Sequence, residues 1–421
     1  MLNMLHEKLT DIIPLANVNS PGIDPKEHYA KQVGPIEHEE LEECAIDIRN
    51  IGWTLGNDCP YRCSHCYSMS AREKGMNLDT DIVDRVVNEL AKNGVETVNL
   101  GGNEPLFTNG LDPKDTLLPY IIDGLTDKGI RVGLTTSGIT LLHLERDHRE
   151  SFVKLNDVDV SLDSPFEEEH NENRGAYLYK QALQSLKFCQ NYGIDHTIIM
   201  CAMSWNFSEK HIREIVQLGK QYDAHIRINP IKPVEPKHME VALTAQQYYE
   251  GFSLLMKLTD PVDLGEPPLA AVTNYEHAKG CPCGRTSFRI HSITPDGRIP
   301  VSPCVYLHDY KVGDLTTDNL YDIVRTPQFK SFRRRNANPH VVEGCESCSL
   351  LDKCRGGCAA RSYLHNAHET GKRSLFVKDP FCPAEINPSR DGFPQNPQVD
   401  DSVQLVHKDY LCTWIGKPKP L

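Results

Sequence analysis

The segment GNDCPYRCSHCYS, residues 56–68, sets Cys59, Cys63 and Cys66 in a C-x3-C-x2-C pattern directly after the apolar run IGWTL. Thiolates are soft ligands for zinc or iron, and a structural zinc site closes with four ligands. Here there are three. The trio could hold zinc with one distant fourth ligand, or a 4Fe-4S cluster whose fourth iron is open to a substrate. A second concentration of thiols lies downstream: Cys281 and Cys283 in GCPCGR, Cys304 in TPDGRIPVSPC, Cys345, Cys348, Cys354 and Cys358 in GCESCSLLDKCRGGC, and Cys382 in DPFCP. A zinc ribbon on those thiols is the plainer alternative.

A chain of 421 residues can bury sizeable cores in two or three domains, so its fifteen cysteines are not required as staples. Their clustering favours metal ligation over disulfides, and with it a reducing compartment. The start, MLNMLHEKLTDIIPLANVNSPG, has no cationic end followed by an apolar run, so no signal peptide is expected. Apolar stretches fall far short of a membrane span. The expectation is a cytoplasmic protein without a membrane partner. A net charge of −13 repels a phosphate backbone and argues against a nucleic-acid partner. The basic run Arg333 to Arg335 reads as a solvated helix end.

The elements that must position the first trio alternate strand and helix, the pattern of parallel-sheet units. Six strands are expected at 51–55, 96–100, 130–136, 157–163, 196–203 and 224–230. Between the first two, Ile82, Val83, Val86, Val87 and Leu90 share a helical face that begins at Asp79 and Thr80 and stops at Asn93-Gly94. Further helices are expected near 114–128, 177–191 and 208–220. Such a chain forms a barrel or an open wound sheet, and in either its chemistry gathers at the carboxyl ends of the strands. Residues 1–49 read as a polar N-terminal arm and 50–265 as the strand-helix domain. A cysteine-rich domain is expected over 266–385 and an extended C-terminal tail over 386–421.

The trio resembles the cluster motif of the radical S-adenosylmethionine (radical SAM) superfamily, in which His65 would hold the place before the third cysteine. The resemblance implies a partial (β/α)6 TIM-like barrel. It also implies that Cys59, Cys63 and Cys66 ligate a 4Fe-4S cluster whose open iron is chelated by S-adenosylmethionine. Gly101, Gly102 and Glu104 in LGGNEP resemble the segment that receives the methionine ammonium, where glycines permit close approach and a carboxylate balances charge. Ser137, Ser161 and Asp163 resemble hydrogen-bonding contacts from the third and fourth strands, and Arg174 would clamp the methionine carboxylate.

The downstream cysteines resemble the SPASM extension of these enzymes, which carries two auxiliary iron-sulfur clusters. One would use Cys345, Cys348, Cys354 and Cys382. The other would use Cys304, Cys358 and one or both of Cys281 and Cys283; with only one of that pair it would have an open iron or be a smaller cluster. Cys44, Cys189, Cys201 and Cys412 are left over. Cys189 lies on an apolar helix face and reads as core. Cys201, late in the fifth strand, reads either as core or as a hydrogen-atom donor near the cosubstrate. For Cys412 two readings stand: its segment folds back over the barrel mouth, or it docks on the surface.

The chemistry implied is reductive cleavage of S-adenosylmethionine by an electron from a flavodoxin- or ferredoxin-type reductant, followed by hydrogen-atom abstraction from a peptide or protein substrate. A small-molecule dehydrogenase or epimerase is an alternative, and a zinc-binding scaffold without catalysis is another.

Overall fold

A computed structural model describes residues 46–68 and 76–420. The polar arm expected over 1–49, apart from its last four residues, lies outside the described residues, as does Cys44.

The six expected strands are present: β1 (Asn50–Thr54), β2 (Thr97–Gly101), β3 (Arg131–Thr136), β4 (Asp157–Ser161), β5 (Asp195–Ala202) and β6 (His225–Pro230). Each pairs in parallel with the next. The intervening helices include α1 (Thr80–Lys92), α2 (Leu118–Asp127), α3 (Ile139–Asp147), α4 (Glu167–Arg174), α5 (Tyr179–Tyr192) and α6 (Glu209–Tyr222). In α1 the Asp79 side chain accepts from the Ile82 amide at 2.8 Å, a helix cap, and Val83, Val86, Val87 and Leu90 are buried against the sheet. Helix α4 has no apolar stripe in its sequence, EEEHNENR, which hid it. Three glutamates in its first turn suit the helix N-terminus, and Gly175, at φ 63°, ends it in the left-handed region.

The sheet extends beyond these six strands. Its order is β7-β10-β6-β5-β4-β3-β2-β1-β8-β9, adding β7 (Thr259–Leu264), β8 (Ser287–Ile290), β9 (Val301–Ser302) and β10 (Trp414–Pro418). Its edges β7 and β9 are not joined, as in a partial barrel. Strand β8 runs parallel to β1, so the cysteine-rich region begins as a continuation of the same sheet.

The segment read as an extended tail differs most from expectation. Its strand β10 inserts antiparallel between β6 and β7, and Val406, His407, Trp414 and Ile415 are fully buried. His407 sits inside the barrel, with Nδ1 2.8 Å from Asp157 and Nε2 3.3 Å from Asp159. Asp159 in turn pairs with Arg227, and Asn99 donates to the Tyr410 hydroxyl at 3.2 Å. Polar barrel-facing side chains need partners once buried, and the tail supplies them. Gly52 and Gly133 make room for it: a Cβ would overlap the Tyr410 hydroxyl at one and the Val406 side chain at the other.

The basic run is also corrected. Arg333 and Arg335 are buried, not solvated. Arg333 donates to the carbonyls of Gly284 and Val324, and Arg335 to those of Leu375, Gly356 and Val377. A region with little sheet leaves loop carbonyls unpaired, and a guanidinium carries five donors to satisfy them.

Candidate functional site

The loop after β1 presents Cys59, Cys63 and Cys66 half-buried, as free thiols. Cys66 lies 3.4 Å from the Ser68 hydroxyl, and Arg174 Nη1 lies 3.9 Å from Cys63 Sγ. Helix α4 holds this loop: Ser64 donates through its amide to the Asn173 carbonyl at 3.0 Å and through its hydroxyl to the Asn173 side chain at 2.5 Å.

Beside the loop is a cavity of about 470 Å³, counting its open mouth. Five residues singled out in the sequence line it: His65, Ser161, Asp163, Arg174 and Cys201. The remainder come from the cysteine loop (Tyr67), β5 (Ile199), the end of β6 (Asn229, Ile231 and Lys232) and the cysteine-rich region (Tyr306). The strand ends thus converge on one hollow, as the parallel topology requires.

Asp163 organises its floor. Arg174 Nε donates to its Oδ2 at 2.6 Å, Asn173 at 2.9 Å, and the Cys201 amide donates to Oδ1 at 3.2 Å. Burial pushes its carboxyl up, but Arg174, His65 and His170 outweigh that and hold it below the usual carboxylate range. Burial lowers His65 to about 4 despite Asp163, so it is neutral at pH 7. The pairing occupies Arg174 Nε, Nη1 turns one N–H toward Cys63 Sγ, and the remaining terminal N–H groups are available to other acceptors.

The glycine segment and Ser137 meet through Glu104. Its oxygens accept from the hydroxyls of Thr136, Ser137 and Thr140, and from the Ser137 amide at 2.9 Å. Ser137 also hydrogen-bonds Tyr61 of the cysteine loop. Gly101 ends β2, and Gly102, at φ 92°, packs so close to Thr54 that a Cβ would overlap its hydroxyl. A cosubstrate ammonium reaching Glu104 would have to displace a hydroxyl, so the residue first ties the β2 and β3 loops to the cysteine loop.

The other thiols form two groups. Cys345, Cys348, Cys354 and Cys382 ring a single cavity with Lys378 and Asp379 at its wall. Cys281, Cys283, Cys304 and Cys358 are all buried. The Cys281 thiol interacts with that of Cys283, and Cys283 with Cys304. Among the described residues no group of three or more His, Cys, Asp or Glu side chains closes on one point as a single metal ion requires.

Comparison with known proteins finds two family models in the chain. The radical SAM superfamily matches residues 53–219, and the SPASM iron-sulfur cluster-binding domain matches residues 281–349. The chain belongs to the radical SAM superfamily. Mycofactocin maturase MftC of Mycobacterium ulcerans strain Agy99 is 26% identical over 75% of this chain and 84% of its own length. The antilisterial bacteriocin subtilosin biosynthesis protein AlbA of Bacillus subtilis strain 168 is 22% identical over 84% of this chain and 72% of its own. The structure of Streptococcus suis SuiB bound to precursor peptide SuiA has a TM-score of 0.57 at 16% identity, covering 90% of this chain and 86% of that one, a likeness of fold.

As a radical SAM enzyme the chain binds S-adenosylmethionine and a 4Fe-4S cluster, and its SPASM domain binds auxiliary clusters. The residues fit those groups. Thiolates are the ordinary ligands of iron-sulfur clusters, and all fourteen described cysteines are free of disulfides. No described helix is long and apolar enough to cross a membrane.

Several residues of this radical SAM site escaped the sequence reading. Asn173 adjoins Arg174 and differs in sequence from a solvated helix residue in nothing visible. Lys232 follows β6 and Tyr306 belongs to the cysteine-rich region, and they meet with Lys232 Nζ 5.5 Å from the Tyr306 ring centre. Asn229 Nδ2 donates to the Tyr306 hydroxyl at 2.6 Å. Cys189 is core, in α5. Cys201 is not: it faces the cavity.

Proposed function

We propose that this radical SAM enzyme modifies a peptide by abstracting a hydrogen atom from it. The observation that supports this most directly is the cysteine loop beside a cavity on which His65 of that loop, Ser161 and Asp163 at the end of β4, Arg174 of α4 and Cys201 of β5 converge. Cys59, Cys63 and Cys66 would hold the cluster that, once reduced by a flavodoxin- or ferredoxin-type protein, cleaves S-adenosylmethionine to methionine and a 5'-deoxyadenosyl radical. The chain's own residues bind and orient. Arg174, fixed through Nε by Asp163, offers its terminal nitrogens to the methionine carboxylate, a bidentate fit suited to guanidinium. Ser161 and Asp163 lie where they can meet a ribose, and Gly101, Gly102 and Ser137 shape the approach for the ammonium. Tyr306 closes the cavity from the SPASM side and limits water.

The choice of a peptide rests on relatives: a precursor peptide is bound by SuiB, and AlbA serves biosynthesis of a bacteriocin. Reduced enzyme incubated with S-adenosylmethionine and candidate peptides should yield 5'-deoxyadenosine with a peptide mass change. Turnover of a small molecule and of no peptide would reject the substrate class.

A second outcome is favoured by Cys201. Burial, reinforced by Asp163, raises its thiol above the ordinary range, so it keeps its hydrogen. A substrate radical at this wall could take the hydrogen atom of its S–H bond and leave as an epimer, the resulting thiyl radical being returned to thiol by one electron from the same reductant and a proton. A peptide two hydrogens lighter would indicate oxidation or crosslinking; deuterium taken from solvent without other change would indicate epimerisation.

A further inference from the structure

The C-terminal tail delivers one more sulfur to the second thiol group. Cys412 is buried, the preceding Leu411 lines one cavity with Gly280 and Pro282 on either side of Cys281, and the Cys412 thiol interacts with those of Cys281 and Cys358. With the contacts from Cys283 to Cys281 and Cys304, five sulfurs form one continuous chain: Cys304, Cys283, Cys281, Cys412, Cys358. Cys412 is a partner that Cys281 and Cys358 share.

The backbone around Cys412 is held on both sides. The Tyr410 carbonyl accepts from the Ser287 hydroxyl at 2.7 Å and from Arg289 Nη2 at 2.5 Å, and the Cys412 carbonyl accepts from Lys232 Nζ at 3.1 Å. Trp414 then enters β10, paired with Ile228 and Leu264. A thiol placed by so many barrel contacts, at the one point where it meets two other cysteines, is placed as a ligand is placed.

We propose that Cys412 ligates the auxiliary cluster that Cys304, Cys358 and the Cys281/Cys283 pair hold. This rests on reading those thiols as iron ligands. Cys281 and Cys283 are separated by one residue, closer than the two residues between neighbouring ligands in common cluster motifs. With Cys412 present the pair need supply only one ligand, and four protein thiolates complete a 4Fe-4S cluster with no iron open to substrate. That cluster is then an electron carrier, and its occupancy anchors the tail in the barrel.

The test is iron content and electron paramagnetic resonance of full-length protein, reconstituted anaerobically, as wild type, Cys412→Ala, Cys412→Ser and Cys189→Ala. Wild type should carry roughly twelve irons if all three sites hold four. Both Cys412 variants should lose between about one and four irons and change one reduced-cluster signal, while the spectral response to S-adenosylmethionine persists. Cys189→Ala, which alters a buried thiol remote from the motif, should match wild type. Melting of the iron-free Cys412→Ser protein should match iron-free wild type, which separates lost ligation from misfolding. Full iron and unchanged spectra in Cys412→Ala would overturn the proposal, as would a disulfide joining Cys412 to Cys281 or Cys358 in iron-loaded wild type. Absence of iron from wild type would instead overturn the cluster reading itself.

Discussion

Arg361 grips Asp379 with two parallel hydrogen bonds, Nε to Oδ1 and Nη2 to Oδ2, each 2.8 Å long. The same carboxylate accepts from the Cys358 amide at 2.7 Å, and the Asp379 carbonyl accepts from the Cys382 amide at 2.9 Å. One residue thus fixes the backbone of a cysteine from each auxiliary group. Arg361 also reaches Glu266 at 2.9 Å, and all three side chains are essentially excluded from water. Asp379→Asn removes one partner of a buried ion pair, which should cost about 3 kcal/mol. Melting of the iron-free variant should fall accordingly, and iron should drop at both auxiliary sites with the Cys59, Cys63, Cys66 site still loaded.

The pair of Arg174 and Asp163 predicts a different failure. Asp163→Asn leaves the cysteine loop intact but frees the guanidinium from its 2.6 Å anchor. Equilibrium binding of S-adenosylmethionine should weaken by about tenfold or more, the effect of losing a charge-assisted contact. Iron at the site should be unchanged. Equal affinity in the variant would remove Asp163 and Arg174 from cosubstrate positioning.

Cys201→Ala separates radical formation from hydrogen return. The variant should still produce 5'-deoxyadenosine, because the thiol is not one of the three that would hold the cluster. Solvent deuterium found in the product of the wild type should fall by about tenfold or more if the thiol is the donor. An isomerised product released at the normal rate would eliminate that role.

Two buried histidines set an acid limit on stability. Burial lowers His170 to about 4, with Arg174 adding to the shift, and lowers His365 to about 4, with Arg361 adding to it. The unfolded chain takes up these protons as pH falls through 6.5, whereas the folded chain takes them up only near 4. The stabilising contribution is therefore whole above 6.5 and is lost progressively between those values as pH falls. Each histidine should contribute about 2–3 kcal/mol to that loss. In His365→Gln the pH slope of melting for the iron-free protein should be shallower by roughly one proton.

The tail makes a prediction about Gly52. A methyl group there meets the Tyr410 hydroxyl, so Gly52→Ala should destabilise by about 1–3 kcal/mol, the usual range for overpacking. Tyr410→Phe removes the oxygen that clashes, and the double variant should recover part of the loss. A thermal double-mutant cycle with no coupling would mean the tail does not fill the barrel in solution.

The sequence alone determined the six parallel strands, the capped and amphipathic α1, the C-x3-C-x2-C loop and the cysteine-rich region, because each is encoded within a few residues by periodicity, caps or ligand spacing. It also pointed to His65, Ser161, Asp163 and Arg174, which the fold brings to one cavity. What it could not carry were partnerships set by tertiary packing, between residues from eleven to 250 positions apart. The meeting of Asp163 with Arg174, the burial of Arg335 among loop carbonyls, and the entry of Val406, His407 and Tyr410 into the barrel depend on which buried polar groups lack a partner nearby in the chain. Only the folded backbone decides that. Cys412 shows the difference most plainly: by spacing it belongs to no motif, and it joins the sulfurs of Cys281 and Cys358 because β10 pairs between β6 and β7 and brings its neighbour with it.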